Sequence, residues 1–251
     1  MNIVLFYALE VDSQIFEIQC SKSQLQFQVG GSTVNKLSLR GHSIFLVKLA
    51  SGSSRSGVIA AALLQRVQVD FIVSIGPCGD VSGKKRVGDW HVIERVIGWQ
   101  MGRNGIPDQV RKEEQGWGKI LEFKDIEMKQ FLPNITKSVL LSGDAFISSA
   151  DFARQLYETL GGNLVDMNLS GIALAAHHFG IKRQFHLRVI SDGADESAGD
   201  DFQNFVAKYD GKGGSFILDI LGSLPPDVSD PMNYDNLRKL LEPRDGAGTT
   251  D

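Results

Sequence analysis

The chain has 251 residues, of which 42% are hydrophobic and 22% are charged, and its formal net charge is −4. These proportions are close to those of an average globular protein, which excludes a disordered, collagen-like or coiled-coil chain. A mildly acidic chain offers no basic field to nucleic acid, and no apolar run approaches the roughly 18 residues of a membrane span. We therefore expect a globular protein that binds neither nucleic acid nor a membrane.

Features of the N-terminus and the cysteines bear on where the protein resides. Residues 1–6 contain no basic residue, and Glu10 and Asp12 follow at once, which is not the pattern of a signal peptide. Cys20 and Cys78 are the only cysteines and lack metal-site spacing. Two lone thiols suit a reducing compartment. We expect a cytoplasmic protein without a disulfide framework.

Short apolar or alternating runs predict strands, and apolar positions three and four apart predict helices. The predicted strands are residues 2–8, 25–29, 43–49, 70–75, 87–98, 137–141, 164–167 and 185–190. The predicted helices follow residue 57, cover residues 151–160, follow Asn168, and cover residues 201–219 with a break at Gly211, Gly213 and Gly214. Residues 52–57 and 101–118 are expected to be loops, and the strand over 70–75 is expected to stop at Gly76-Pro77.

Strands that alternate with helices predict a single α/β domain over residues 1–222, with a mixed central sheet covered by helices on both faces. Residues 223–251 are rich in Pro, Gly, Asp and Thr and predict a tail, with one short helix possible over 233–241. In such sheets ligands bind beyond the carboxyl ends of the strands. The candidate site therefore lies at four strand ends: 76–79, 142–144, 191–193 and Asn168.

Four segments occur in an order that is specific in combination. They are Ala8-Leu9-Glu10-Val11-Asp12; Gly76-Pro77-Cys78-Gly79 with Val87-Gly88-Asp89; Ser142-Gly143-Asp144-Ala145-Phe146-Ile147; and Val165-Asp166-Met167-Asn168 followed by Arg188-Val189-Ile190-Ser191-Asp192-Gly193-Ala194-Asp195. In these segments the chain resembles the methylthioadenosine and adenosylhomocysteine nucleosidases and their phosphorylase relatives. The resemblance implies the fold of that superfamily, cleavage of a purine N-ribosidic bond, no metal or organic cofactor, and a homodimer or higher homo-oligomer.

The resemblance also implies a role for individual residues. Asp192 matches the acid that protonates purine N7, a task that requires a carboxyl of raised pKa. Asp12 stands where the family activates the attacking water, and Arg188 matches an arginine that orients that acid or the water. The remaining matches concern substrate binding: Phe146 and Ile147 for the base, Met167 and Asn168 for the sugar, and Gly76, Pro77 and Ser191 for the strand ends around them. His177 and His178 are expected to be structural.

Asn168 departs from the family pattern, which has a glutamate that accepts both ribose hydroxyl protons. An amide offers one acceptor oxygen and no charge, so the loss weakens both ribose binding and stabilisation of a cationic transition state. Three explanations stay open: a different sugar, a substitute acid such as Asp166, or a poor catalyst. Pro77 and Asp80 depart from the usual Gly-rich turn as well.

The choice of nucleophile depends on basic residues. Phosphate-using relatives often have an arginine at the position of Ser74, and the segment before Asp12 has no basic residue. Phosphate needs fixed positive partners, and Arg55 in the Gly/Ser loop is the one candidate, so we favour water. The alternatives are a phosphate-dependent phosphorylase, a non-catalytic nucleoside-binding or storage member of the superfamily, and a generic phosphate-binding module, against which the segment 142–147 argues.

Overall fold

The structure is a computed structural model that describes residues 1–84, 86–100, 121–122 and 135–225. The loop predicted over residues 101–118 lies outside the described residues. So does the predicted tail after residue 225, with its possible helix over 233–241. Within the described segments, no helix has the length and apolar character needed to cross a membrane.

Strands and helices alternate along much of the described chain. The strands are β1 (Asn2–Tyr7), β2 (Ser21–Val29), β3 (Ser32–Leu39), β4 (His42–Lys48), β5 (Phe71–Asp80), β6 (Trp90–Gly98), β7 (Leu121–Glu122), β8 (Thr136–Ser142), β9 (Leu164–Asp166) and β10 (Gln184–Asp192). The helices are α1 (Val11–Gln19), α2 (Ser53–Leu64), α3 (Ala150–Leu160), α4 (Leu169–His178), α5 (Ala198–Lys208) and α6 (Lys212–Ser223).

The strands form one mixed sheet in the order β10-β6-β8-β9-β5-β1-β4-β3-β2, with β7 paired to β6. Because β10 also pairs with β5, the strands β5, β9, β8, β6 and β10 close into a ring. From this ring β1, β4, β3 and β2 extend as an open sheet. The mixed α/β sheet predicted from the sequence is confirmed, and its partial closure is a feature that the sequence pattern did not predict.

Side chains of β1 alternate between two hydrophobic clusters on opposite faces of the sheet. Val4 and Phe6 pack in a cluster with apolar residues of α2 and α4, whereas Ile3 and Leu5 pack in one with residues of α1 and α6. All four are fully buried, and burial of a large apolar side chain stabilises the fold by about 1.5–3 kcal/mol. Helices therefore cover both faces of the open sheet, as predicted.

Helices α2 and α4 cross at glycines, and this crossing positions one end of the site. A Cβ on Gly171 would lie 1.9 Å from the carbonyl oxygen of Ser53, and one on Gly57 would lie 3.3 Å from Gly171 Cα. The Gly171 N–H donates to Ser53 Oγ at 2.9 Å. Only residues without a side chain permit this approach, and it holds the N-terminus of α4, with Asn168 before it, against α2.

The expectation that β5 stops at Gly76-Pro77 is wrong, since the strand continues to Asp80. Ile75 accepts a hydrogen bond from Ala8 on the β1 side, and alternation directs the nitrogen of Pro77 to the same side. β1 has ended there, because its last pairing is Tyr7 with Ile75. The missing N–H of Pro77 therefore breaks no ladder bond, which removes the usual objection to proline inside a sheet.

Other differences from the sequence-based expectations have local causes. The Gly/Ser segment 52–57 is not a loop throughout, because α2 begins at Ser53. Helix α1 was not predicted because its buried residues are Asp12, Ser13 and Phe16, which is not an apolar stripe. Strand β3 was missed because its sequence STVNKLSL is largely polar. The break predicted within residues 201–219 is confirmed, with Gly211 at φ +74° between α5 and α6.

Candidate active site

A cavity of about 400 Å³ lies at the carboxyl ends of β1, β5, β9 and β10. Its walls come from six parts of the chain: Ala8 and Leu9; Ser51; residues 77–79; residues 145–147; residues 165–168 with 191–192; and Gly199, Phe202 and Gln203 of α5. The expectation that the site lies beyond the strand ends therefore holds for this cavity. Of the four predicted strand ends, residues 142–144 do not line this cavity, although residues 145–147 do.

Asp192 is a carboxyl group that lines this cavity, and the residue is 3% exposed. Ser191 Oγ donates to its Oδ2 at 2.7 Å, and the Ala194 N–H donates to its Oδ1 at 3.0 Å. Burial raises the pKa of Asp192 above its ordinary value, although these hydrogen bonds act in the opposite direction. A Cβ on Gly79 would lie 2.7 Å from Asp192 Oδ1, so the carboxyl occupies this position because residue 79 is a glycine.

An aromatic wall faces the same cavity. Phe146 is 44% exposed, and its ring meets that of Phe202 edge-on, with 6.1 Å between the ring centroids. An exposed phenylalanine costs free energy in water, and a planar aromatic ligand would cover it. Ile147, beside it, is buried and lines the cavity as well. Phe146 and Ile147, which the resemblance assigns to the base, thus both line the candidate cavity.

Arg188 is buried behind the cavity and is paired with Asp166. Its Nε and Nη2 lie 3.0 and 2.9 Å from Asp166 Oδ2, and both side chains are 2% exposed. Its Nη1 donates to Ser74 Oγ at 3.1 Å, and that hydroxyl also contacts His186 Nδ1 at 2.8 Å. The resemblance implies that Arg188 orients the water-activating acid or the water, whereas in the structure its guanidinium is paired with Asp166.

Asn168 lines the cavity just before α4, and its amide nitrogen is turned away from it. Nδ2 donates to the carbonyl oxygen of Ala50 at 2.8 Å and to Ser56 Oγ at 2.7 Å. Because the carbonyl oxygen of Ala50 can only accept, the end of the amide that contacts it is the NH₂ group, and Oδ1 lies at the other end. The side chain therefore connects the loop before α2 to the start of α4.

Asp12 does not lie among the cavity-lining residues. It is buried between α1 and α6, where Oδ1 accepts hydrogen bonds from Tyr209 Oη at 2.6 Å and from the Gly214 N–H at 3.1 Å. Among the residues that the structure describes, its Oδ2 has no hydrogen-bond partner. Burial raises the pKa of Asp12 to about 6. Its predicted role in activating water stays a prediction, and this location argues against direct contact with a ligand in the cavity.

The raised pKa of Asp12 predicts a specific dependence of stability on pH. A carboxyl that binds its proton more tightly in the folded state stabilises the fold below its unfolded pKa, and this contribution is lost as pH rises through about 6. We expect the free energy of unfolding of the wild type to fall by about 2–3 kcal/mol more between about pH 4 and pH 7 than that of Asp12→Asn. Urea denaturation of both proteins at the two pH values measures this, and parallel pH profiles would contradict it.

The described residues that line the cavity include no Arg, Lys or His. Ser74 is buried and bonded to Arg188 and His186, and Arg55, the alternative cation, lies in the first turn of α2 outside the cavity lining. In the part of the chain that the structure describes, no three His, Cys, Asp or Glu side chains are grouped to hold a metal ion. The cavity thus combines two buried acids, of which Asp166 is paired with Arg188, with an aromatic wall and neutral polar groups.

The model of one protein family, the phosphorylase superfamily, matches residues 13–222. The chain belongs to the phosphorylase superfamily. The match runs from within α1 nearly to the end of α6 and leaves out β1. The superfamily resemblance is therefore confirmed, and three of the four sequence segments lie within the matched residues.

Similar members of the superfamily include nucleoside hydrolases. A 5'-methylthioadenosine/S-adenosylhomocysteine nucleosidase of Actinobacillus succinogenes is 23% identical over 209 residues, which cover 79% of this chain and 89% of that protein. Among solved structures, futalosine hydrolase of Helicobacter pylori has a TM-score of 0.78 at 18% identity, covering 89% of this chain and 98% of that one. The nucleosidase of the same organism has a TM-score of 0.76, also at 18% identity, with coverages of 89% and 99%. At these identities the structural likeness establishes the shared fold.

For this superfamily member, the structure brings together seven of the ten residues singled out from the sequence. Pro77, Phe146, Ile147, Met167, Asn168, Ser191 and Asp192 line the cavity. Asp12, Arg188 and Gly76 do not. Gly76 instead allows β5 to approach Ala8, because a Cβ there would lie 2.9 Å from Ala8 Cβ.

Sequence reasoning missed the contribution of α5, from which Gly199, Phe202 and Gln203 line the cavity. An apolar residue on a surface helix is ordinarily taken for one that packs against the core. No local signal distinguished Phe202 from such a residue. Leu9 and Ser51 also line the cavity, and Leu9 lies in a segment that the resemblance had already singled out.

A second, more apolar groove of about 540 Å³ runs between α2 and α4. Val58 and Phe179 border it and are 61% and 38% exposed. Asp144, the acid of the 142–147 segment, lines this groove and accepts hydrogen bonds from the backbone N–H and hydroxyl of Ser54. Residues 142–144 of that segment therefore line this groove, whereas residues 145–147 line the candidate active-site cavity.

Proposed function

We propose that this chain is a nucleosidase that hydrolyses the N-glycosidic bond of a purine nucleoside of the adenine type, with or without a 5′ substituent. The observation that carries the proposal is that the buried carboxyl of Asp192 and the Phe146–Phe202 pair line the same cavity. A planar base that packs on the aromatic wall would meet a proton donor at its edge. The hydrolases named among the relatives support the same reaction.

The proposed reaction begins with protonation of the base at N7 by Asp192, whose pKa is raised by burial. A protonated base leaves as a neutral molecule, and this kind of general acid catalysis contributes about 10²–10⁴-fold. The bond between the base and C1′ breaks, a water oxygen bonds to C1′, and the proton released by that water restores Asp192 through solvent. The products are the free base and the free sugar.

Water rather than phosphate is the proposed nucleophile, because the described lining residues include no cation to bind a phosphate dianion. Arg55, the candidate cation from the sequence, is not among these lining residues, and the buried guanidinium of Arg188 is bound to Asp166 and Ser74. A phosphorylase remains the alternative within the superfamily. A second alternative is a non-catalytic nucleoside-binding member, which the neutral Asn168 favours and Asp192 disfavours.

The test is release of free base from adenosine, 2′-deoxyadenosine, 5′-methylthioadenosine and inosine in phosphate-free buffer. We expect base release from at least one adenine nucleoside, and less from inosine. Tight binding of these nucleosides without any base release, with or without phosphate, would contradict hydrolysis and favour the non-catalytic alternative. Release that requires phosphate would favour the phosphorylase.

We also propose that the protein forms a homodimer or higher homo-oligomer in the cytoplasm. The exposed Val58 and Phe179 at the α2–α4 groove support self-association, since apolar patches of this kind are commonly covered by a partner. Cys20 and Cys78 are both buried free thiols, which supports a reducing compartment.

A further inference from the structure

Asn168, Asp166 and Ser51 line the same cavity as Asp192 and the aromatic pair. Because the proposed function assigns Asp192 and the aromatic pair to the base, we assign Asn168, Asp166 and Ser51 to the sugar. Asn168 cannot turn its amide nitrogen toward a ligand without losing its bonds to Ala50 and Ser56. Its Oδ1 is therefore the atom that it offers to the cavity. This oxygen is a neutral acceptor.

Asp166 contributes no free negative charge at this end. Its Oδ2 accepts from Nε and Nη2 of Arg188, and the backbone N–H groups of Asn168 and Leu169 donate to its Oδ1 at 3.2 Å. A carboxylate with an arginine and two N–H donors has its charge balanced and its acceptor positions occupied. Both carboxylate oxygens of Asp166 are thus used to bind Arg188 and the backbone N–H groups at the start of α4.

Asn168 Oδ1 and the Ser51 hydroxyl are thus neutral acceptors, and neither Asn168 nor the paired Asp166 offers an uncompensated anion to the sugar. A ribose presents two adjacent hydroxyl donors, and each needs an acceptor when it leaves water. The ribose 2′-hydroxyl also withdraws electrons from C1′, so that a cationic transition state on ribose needs a nearby anion more than one on 2′-deoxyribose does.

We infer that the cavity is specific for 2′-deoxynucleosides, with Asn168 as the residue that sets this preference. The inference rests on the proposed function and specifies its substrate. A 2′-deoxy sugar presents one ring hydroxyl fewer to these neutral acceptors than a ribose does. It also requires no carboxylate beside C1′ when the base leaves.

The experiment compares the wild type with Asn168→Glu and Asn168→Gln, which differ from each other only in charge and amide. kcat/KM is measured for adenosine and for 2′-deoxyadenosine with each protein. Because 2′-deoxynucleosides are also more labile in solution, the deciding quantity is the adenosine/2′-deoxyadenosine ratio compared between variants. We expect this ratio to be at least about tenfold higher for Asn168→Glu than for Asn168→Gln.

Binding provides a readout that does not depend on turnover or on the variants folding. Calorimetric titration of the wild type uses carbon-linked analogues of adenosine and 2′-deoxyadenosine, which have no N-glycosidic bond to break. We expect the 2′-deoxy analogue to bind at least about fivefold more tightly. Equal or tighter binding of the ribo analogue, or equal ratios for the two folded variants, would overturn the inference. Analogue binding without base release from any nucleoside would instead count against the proposed function alone.

Discussion

Asp192→Asn is expected to lower kcat by at least about 10² while leaving the fold intact. Asparagine has the shape of the aspartate and can still accept the hydrogen bond from the Ala194 N–H, but it has no proton to give to the base. Base release under substrate saturation, measured together with the thermal unfolding curve, tests this. Turnover like that of the wild type in a folded Asp192→Asn protein would remove Asp192 from the role of acid.

Asp195→Asn is the matched control for this experiment. Asp195 lies three residues further along, accepts hydrogen bonds from the Ser197 N–H and hydroxyl, and does not line the cavity. The same chemical change should therefore leave kcat near that of the wild type. A comparable loss in both variants would point to a disturbed loop rather than to a missing proton donor.

Asp166→Ala is expected to destabilise the protein by about 3–5 kcal/mol, because it leaves the buried Arg188 without a counter-ion. The N–H groups of Asn168 and Leu169 lose an acceptor as well. Urea denaturation measures the free energy of unfolding, and a loss below about 1 kcal/mol would contradict the importance of this ion pair.

The double variant Asp166→Ala/Arg188→Met shows whether the loss of stability comes from the unpaired charge of Arg188 or from lost packing. Removal of both charges leaves no unpaired ion, so the double variant should be more stable than Asp166→Ala alone. Asp151→Ala is the surface control, because its ion pair with Arg154 is largely exposed and should contribute little. Equal losses for the single and double variants would show that Arg188 does not depend on Asp166.

Residues at strand ends were the most predictable part of the site. Asp192, Ser191 and Asn168 directly follow or end short apolar strands, and such strands are recognisable because each is a local run of buried residues. The segment that contains Phe146 is recognisable by its sequence as well. For these residues local pattern and position in the sheet agree, and the structure brings them into one cavity.

Partners across the fold were less predictable, because they depend on side chains distant in sequence. Arg188 lies in the predicted strand, but its pairing with Asp166 depends on the closed ring, in which β10 and β9 both pair with β5. Asp12 was expected at the ligand, yet α6 packs so closely on α1 that Gly214 donates to it. Strand β5 runs through Pro77 only because β1 ends beside it. None of these is visible in a local sequence pattern.

The claim that water attacks C1′ is tested most directly by cleaving 2′-deoxyadenosine in phosphate-buffered H₂¹⁸O and analysing the sugar by mass spectrometry. Brief reaction times, and a control in which unlabelled 2′-deoxyribose is incubated in the same H₂¹⁸O, correct for exchange at the sugar hemiacetal. We predict free 2′-deoxyribose that has gained one ¹⁸O, together with free adenine, at a rate that does not depend on phosphate. Formation of 2′-deoxyribose 1-phosphate, with no cleavage when phosphate is omitted, would contradict the account.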